Sequence, residues 1–235
     1  TAYDEETGKE NVIATYVGGV QVLYKEGGAM GDMYVTDIKR DENGHYVLNA
    51  KGGLSMETES SKTYGKFVGN QNAKWQMGWS NTFTWKDLSF SAMLQGVAGA
   101  KAMNVAKCMT LSDVEGNFNR DSRILDAWSE TNRGSDIPRL SKNDPNGNFS
   151  TASDWYLENA SYLRLKNVTV SYDLTNLLRK CSHFGSRNSR LSVYVSGENL
   201  CTITDYTGID PECGGWDAMK YPVARTFSFG VKLTY

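Results

Sequence analysis

The stretch WQMGWSNTFTW (residues 75–85), followed by Lys86-Asp87 and LSFSAMLQGVA (88–98), decides the fold. Trp75, Met77, Trp79, Phe83 and Trp85 fall on one side of a two-residue repeat, interrupted by Asn81. Gln76, Gly78, Ser80, Thr82, Thr84 and Lys86 fall on the other. Alternation with period two is the mark of a strand with one apolar face. In the return segment Leu88, Phe90, Ala92, Leu94 and Ala98 oppose Ser89, Ser91 and Gln95. Only Lys86-Asp87 separates the runs, which reads as a hairpin with a very short connection.

The same pattern recurs to the end of the chain. Phe227, Phe229, Val231, Leu233 and Tyr235 alternate with Thr226, Ser228, Gly230, Lys232 and Thr234. Residues 189–204 set Leu191, Val193, Val195 and Ile203 against Ser192, Tyr194 and Ser196. Residues 162–173 change phase: Leu163 and Leu165 are odd, whereas Val168, Val170 and Tyr172 are even. A β-bulge near Lys166-Asn167 accounts for the slip. Residues 12–24, rich in Val, Ile and Tyr, read as one strand. Met33–Arg40 and His45–Asn49 bracket an Asn43-Gly44 turn. A short helix is expected near 101–111, and a helical turn at Asn176–Lys180. The remaining connections, about 25–73, 99–160 and 205–222, read as long loops, a length that usually carries function.

Composition narrows the classes. The 235 residues hold 25 Lys+Arg and 27 Asp+Glu, a net charge of -2, so a strongly basic nucleic-acid binder is excluded. With 40% hydrophobic residues the chain is not a disordered acidic tail. No apolar run is long enough for a transmembrane helix. Thr1–Glu6 lacks a basic and apolar leader, so the expectation is either a cytoplasmic protein or a mature or internal piece of a longer chain. The acidic Asp4, Glu5 and Glu6 read as a solvated end. Cys108, Cys181, Cys201 and Cys213 form no C-x-x-C pair; Cys201 and Cys213 flank one loop and could pair in an oxidising compartment.

Alternating strands suit a soluble sandwich or a membrane barrel, and three features favour the barrel. Ten steps from Trp75 to Trp85 cover roughly 33 Å. Tilted by about 45° they rise roughly 23 Å, close to the ~25 Å apolar band of outer-membrane barrels. Trp75 and Trp85 end one stripe where interfacial girdles belong, as Tyr172 and Tyr235 end theirs. The opposite face is small and polar, as beside water or a plug. Such residues would leave an eight-stranded barrel hollow, so the chain is expected to supply part of a larger wall. The lipid-facing set is Trp75, Met77, Trp79, Phe83, Trp85, Phe227, Phe229, Val231, Leu233 and Tyr235.

Four motifs carry a family resemblance, in family order: NASYLRLKNV (159–168), VSGENL (195–200), YTGIDPE (206–212) and YPVARTF (221–227). They resemble the SusC/RagA-type TonB-linked outer-membrane proteins, with a looser match from Gly27 through the Trp85 hairpin. The resemblance implies an all-β, antiparallel transmembrane β-barrel segment, the C-terminal portion of a 22-stranded barrel, in a Gram-negative outer membrane. It implies import of oligosaccharides or peptides beneath a SusD-type lipoprotein lid, dimers of such pairs, and energy from the TonB system through a plug domain with no counterpart in these residues. Counting strands back from the C-terminus makes Lys86-Asp87 a periplasmic turn and the long loops extracellular. This agrees with the short-turn, long-loop asymmetry of such barrels.

Catalytic chemistry is not indicated. His45 and His183 are far apart, against a triad or a His-based metal site. Gly27–Gly31 lacks P-loop spacing. Asp41, Asn43, Asp144, Asn146 and Asn148 resemble fragments of calcium loops without the closing Glu, so turns are expected, with calcium in the outer loops as the residual alternative. No cofactor is called for. Trp128, Trp155, Tyr206 and Trp216, set among Asn, Asp and Arg, are the candidate cargo contacts, because sugar rings stack on aromatics; packing of the loops is the competing reading. Two other classes stay open: a secreted soluble β-sandwich that binds glycans, and a small passive porin or adhesin.

Overall fold

The computed structural model describes residues 3–4, 9–15, 21–24, 27–55, 66–111, 119–148, 153–181 and 189–234. The strands are β1 (Tyr3–Asp4), β2 (Lys9–Thr15), β3 (Gln21–Tyr24), β4 (Asp32–Val35), β5 (Lys66–Asn70), β6 (Trp75–Trp85), β7 (Leu88–Ala98), β8 (Lys101–Asn104), β9 (Leu157–Asn159), β10 (Tyr162–Asp173), β11 (Arg190–Thr204), β12 (Trp216–Asp217) and β13 (Thr226–Thr234). Two seven-residue helices, α1 (Val105–Leu111) and α2 (Thr175–Cys181), complete the regular elements beside two 3-10 turns. No helix among the described residues is long and apolar enough to cross a membrane. The chain forms two compact units, one of residues 1–74, 99–161 and 205–221, the other of 75–98, 162–204 and 222–235.

The second unit is one antiparallel sheet in the order β13-β11-β10-β7-β6. Trp85 pairs with Leu88 across a two-residue turn in which Lys86 takes a left-handed φ of 52°. The register then lines up the sides of all five strands. Thr82 stands opposite Ser91, Ser91 opposite Thr169, Thr169 opposite Ser196, and Ser196 opposite Ser228. On the other side Phe83 meets Phe90, Phe90 meets Val170, Val170 meets Val195, and Val195 meets Phe229. Along these two rows one face is therefore polar and the other apolar across all five strands.

The phase change in β10 is a bulge where it was expected. The pairing shifts between Leu165 and Asn167 against both neighbours: Lys166 is the extra residue against β7 and faces two residues, Asn199 and Leu200, of β11, so that Leu163, Leu165, Val168, Val170 and Tyr172 share the apolar face. The facing part of β11 is irregular too. Asn199 has a left-handed φ of 53°, and its side-chain amide donates to the Ala224 carbonyl at 3.3 Å. A Cβ on Gly197 would lie 2.7 Å from the Leu200 side chain. These contacts give the VSGENL motif its physical content: glycine clears a seat for leucine, and asparagine ties the bulge to the approach of β13.

The stretches expected as long loops build the first unit, which has its own core. Its sheets run β1-β2-β3-β4-β5 and β12-β8-β9. Residues 12–24 are not one strand: β2 and β3 pair antiparallel as a hairpin, with Gly18-Gly19 in the intervening sequence. The helix expected over 101–111 begins only at Val105; residues 101–104 are strand, drawn into a ladder by β9 and β12. Asn104 caps α1, accepting the Lys107 amide at 2.9 Å. Val105, Cys108 and Leu111 then fall on one buried face and join Met33, Ile38 and Tyr156 in the core. α2 spans the helical turn expected at Asn176–Lys180.

The hairpin around Asn43-Gly44 closes through Gly44 N–H to Asp41 C=O at 3.0 Å. Beyond β4, however, its arms meet at the isolated bridge from Arg40 to Tyr46, and Leu48 bridges onward to Leu54 in the next turn. Asn148 is fully buried, its side-chain oxygen taking the Leu54 amide at 2.9 Å and its carbonyl the Tyr156 hydroxyl at 2.8 Å. It anchors a turn and core contact. Cys201 and Cys213 are free thiols. Tyr235, His183, Glu5 and Glu6 lie outside the described residues, as do the side chains of Asp4 and Cys181.

Gly52 offers a test of the first unit's packing. Its φ is +81°, and a Cβ there would lie 2.4 Å from Trp128 Cε3. Backbone strain and overpacking each cost about 1–3 kcal/mol. Gly52→Ala should therefore speed limited proteolysis of this unit in the intact protein; a cleavage rate equal to wild type would contradict the packing.

Candidate functional site

The chemistry-bearing side chains of the first unit gather where β8, β9 and the segment 205–217 meet. β9 pairs antiparallel with β8, placing Glu158 opposite Ala102. β12 pairs parallel with β8, placing Asp217 opposite Asn104. Glu158 accepts hydrogen bonds from the Thr207 amide at 2.8 Å, the Thr207 hydroxyl at 2.8 Å and the Asn104 side chain at 3.2 Å. Lys107 Nζ stands 3.7 Å from the same carboxylate, donates to the Trp155 carbonyl at 2.6 Å and lies 4.3 Å from the centre of the Trp155 ring. Burial holds the Lys107 amine below its usual range, against the pull of Glu158.

Asp217 forms the second clamp. It accepts from the Tyr206 hydroxyl at 3.0 Å and from the Ile209 amide at 2.8 Å. Burial, reinforced by the Asp217 charge, pushes the Tyr206 hydroxyl far above its ordinary value. A Cβ on Gly208 would lie 2.4 Å from the Tyr206 hydroxyl oxygen and 2.5 Å from its ring. The YTGIDPE motif is thus a stapled loop: Tyr206 binds Asp217, Thr207 binds Glu158, and Gly208 makes room for the ring. Both carboxylates are engaged by donors of the chain itself, so the cluster positions backbone. No group of three potential metal ligands occurs among the described residues.

A parallel network ties the Asn43-Gly44 hairpin down. Arg40 donates to Asp154 at 3.0 Å and to the Tyr46 hydroxyl at 2.9 Å. Burial and Asp154 together raise the Tyr46 hydroxyl to about 12. At the hairpin tip His45 Nδ1 lies 2.9 Å from the Asp136 carboxylate.

Three of the four candidate cargo aromatics do not present a ring. Trp155 is 3% exposed, Tyr206 7% and Trp128 8%, each packed into loop structure as described, so a sugar could not stack on them. Trp216 remains 39% exposed, because its neighbour Asp217 takes the inward position on β12. Trp155, Tyr206 and Trp216 share the two-carboxylate cluster; Trp128 sits apart over Gly52. Glu158, Lys107, Asn104 and Asp217 were missed from sequence, since their partners lie as much as 103 residues away and follow no periodicity. In the second unit the residues expected to face lipid stand open, with Trp75 77% and Phe229 87% exposed.

No family model matches the chain. It is 28% identical over 242 residues to TonB-dependent receptor P3 of Formosa agariphila, covering 91% of this chain and 23% of that protein. It is 29% identical over 217 residues to TonB-dependent receptor SusC of Bacteroides thetaiotaomicron, covering 90% and 20%. Among solved structures it resembles the RagAB peptide transporter with TM-score 0.68 and 25% identity, covering 92% of this chain and 23% of that one. The RagAB peptide importer in its closed-closed state gives 0.65 and 26%, with 91% and 26% covered. The chain thus spans about a fifth to a quarter of the proteins it matches, and none of their names denotes an enzyme.

Two measurements check the clamps. Glu158→Ala should raise hydrogen exchange at the Thr207 amide at least tenfold; unchanged protection would contradict the clamp. Asp136 holds His45 above its usual 6.5. A raised folded value means the pair stabilises fully below about 6.5 and is lost as pH rises through the raised value. The pH profile of His45 carbethoxylation should therefore shift downward in Asp136→Asn; an unmoved midpoint would contradict the pairing.

Proposed function

We propose, on the premise that this chain is a portion of an outer-membrane β-barrel receptor of the TonB-dependent, SusC/RagA kind, that it supplies wall and outer loops of a nutrient importer. One observation carries the reading. Among the described residues the hydrophobic core lies in the first unit, while the five-stranded sheet keeps most of its bulky apolar residues exposed along one face. A soluble sandwich would bury that face; a barrel wall turns it to acyl chains. Trp75, Met77, Trp79, Phe83 and Trp85 on β6 and Phe227, Phe229, Val231 and Leu233 on β13 then contact lipid, with Tyr235 ending the last stripe. The polar face lines the interior.

The Lys86-Asp87 turn and α2 link strands at one end of the sheet and mark the periplasmic side. The chain passes to the first unit from the other end, the extracellular side. A SusD-type lipoprotein covers the outer loops, receptor and lipoprotein pairs associate as dimers, and TonB acts through a plug contributed by the rest of the receptor. The cargo is an oligosaccharide, for which Trp216 is the remaining aromatic contact. A second reading, peptide cargo, is favoured by the RagAB name and by the burial of Trp128, Trp155 and Tyr206. Deleting the receptor gene and measuring growth on defined oligosaccharides and peptides separates the two; unchanged growth and uptake on both would contradict the import reading.

Placement in the membrane is tested by Val195→Arg, at the middle of an apolar stripe. In the intact receptor refolded into vesicles it should cost about 2–4 kcal/mol. A loss no larger than that of Ser228→Arg, on the polar face of the neighbouring strand, would contradict it.

A further inference from the structure

The turn end of the five-stranded sheet brings exposed cations against exposed apolar side chains. The apolar row nearest the β6–β7 turn is Trp85, Leu88, Tyr172, Val193 and Val231. Trp85 and Tyr172 are exposed in it, as is Val231. The Lys86 amine lies 5.2 Å from the centre of the Trp85 ring, which holds its charge at the edge of the apolar stripe. α2 is fastened beside the same turn. The Asn176 side chain donates to Asp87 Oδ1 at 2.8 Å, and the Leu191 amide donates to the Thr175 hydroxyl at 2.9 Å. Lys180 follows Asn176 by four residues and Leu177 by three, so on the helix surface it neighbours both. Leu177 is 54% exposed, and Lys86 and Lys180 are exposed as well.

Charge at this end has one sign in excess. Among the described residues Lys86, Arg179, Lys180, Arg190 and Lys232 stand against Asp87 and Asp173. Both carboxylates are half-buried and already accept hydrogen bonds from the chain, Asp87 from Asn176 and Asp173 from the Thr175 amide at 2.8 Å. Lys86 and Lys180 make no ion pair among the described residues. Arg190 and Lys232 fall on the polar face, where they add to the positive potential without meeting acyl chains. Like charges gathered in this way repel, and an anion supplied from outside relieves them. A soluble anion would leave Trp85 and Leu177 in water. An anionic amphiphile satisfies the amines and the apolar side chains together, the logic of interfacial helices and aromatic belts. We infer that Lys86, Lys180, Trp85 and Leu177 form a docking site for an anionic phospholipid of the periplasmic leaflet: the amines take the headgroup phosphate, and the indole and leucine lie along its acyl chains. The inference rests on the membrane reading proposed above and deepens it, from lipid in general to lipid of one charge.

The test titrates the intact receptor in detergent micelles with phosphatidylglycerol or phosphatidylcholine and counts bound lipid by native mass spectrometry. Each ammonium near an anionic headgroup contributes about fivefold to binding. Lys86→Gln/Lys180→Gln should therefore weaken one phosphatidylglycerol site at least tenfold and leave phosphatidylcholine binding unchanged. Lys86→Arg/Lys180→Arg, which keeps both charges, should retain the site. Equal phosphatidylglycerol binding by wild type and the glutamine variant would overturn the inference, as would loss of the site in the arginine variant. Soluble hexaglutamate that binds as tightly as phosphatidylglycerol, and loses its site in the same glutamine variant, would overturn it in favour of an acidic protein partner. Trp79, in the middle of the β6 stripe, keeps that failure separate from failure of the membrane reading. In bilayers of phosphatidylcholine brominated in mid-chain, Trp79→Phe should remove part of the quenched tryptophan emission. If it does, the wall stands even when the lipid site falls; quenching identical in wild type and Trp79→Phe would contradict the wall and the site together.

Discussion

The cross-strand register of the five-stranded sheet is the constraint on which the rest depends. A strand side chain repeats every second residue, so slipping one strand by one position exchanges its faces. Here Phe83, Phe90, Val170, Val195 and Phe229 meet in sequence across five strands, with Thr82, Ser91, Thr169, Ser196 and Ser228 on the reverse. Cross-strand pairs of this kind contribute roughly 0.2–1 kcal/mol each. Their larger effect is to make every other register bury polar groups in hydrocarbon. The bulge at Lys166 belongs to this constraint: without it the two halves of β10 would show opposite faces.

The first unit solves a different problem. Its strands are short and its connections long, so backbone groups cannot be satisfied by extended ladders. Two carboxylates substitute. Glu158 collects the backbone and hydroxyl of Thr207 together with Asn104, and Asp217 collects Tyr206 and Ile209. Around them α1, β4 and the Trp155–Tyr156 pair build a core that the sheet of the second unit lacks. The division of labour is physical: one unit is held by burial and charge-assisted hydrogen bonds, the other by ladder pairing and, on the reading proposed, by the membrane.

Legibility in the sequence followed the same division. The β6–β7 hairpin, the β10 bulge and the faces of β11 and β13 were readable because period two is a local signal with bulky residues on one phase. Residues 12–24 misled because both phases are apolar there, so the division into β2 and β3 left no mark in the alternation. Residues 101–104 became strand because β9 and β12, distant in sequence, pair with them. Trp128, Trp155 and Tyr206 looked like loop aromatics because composition cannot tell a ring that packs a loop from one that faces solvent. The clamps of Glu158 and Asp217 were invisible for the same reason, being contacts between segments. The motif YTGIDPE was recognisable as a pattern, but its reason lay in Asp217, outside the motif.

Site-directed spin labelling tests the two-sided wall most directly. Nitroxides placed singly at positions 226–233 of the intact receptor in lipid bilayers report access of oxygen, which concentrates in hydrocarbon, and of a water-soluble nickel chelate. The account predicts that oxygen access peaks at 227, 229, 231 and 233, and nickel access at 226, 228, 230 and 232, in opposite phase. Profiles that rise and fall together, or labels on the odd positions shielded from both reagents, would contradict it.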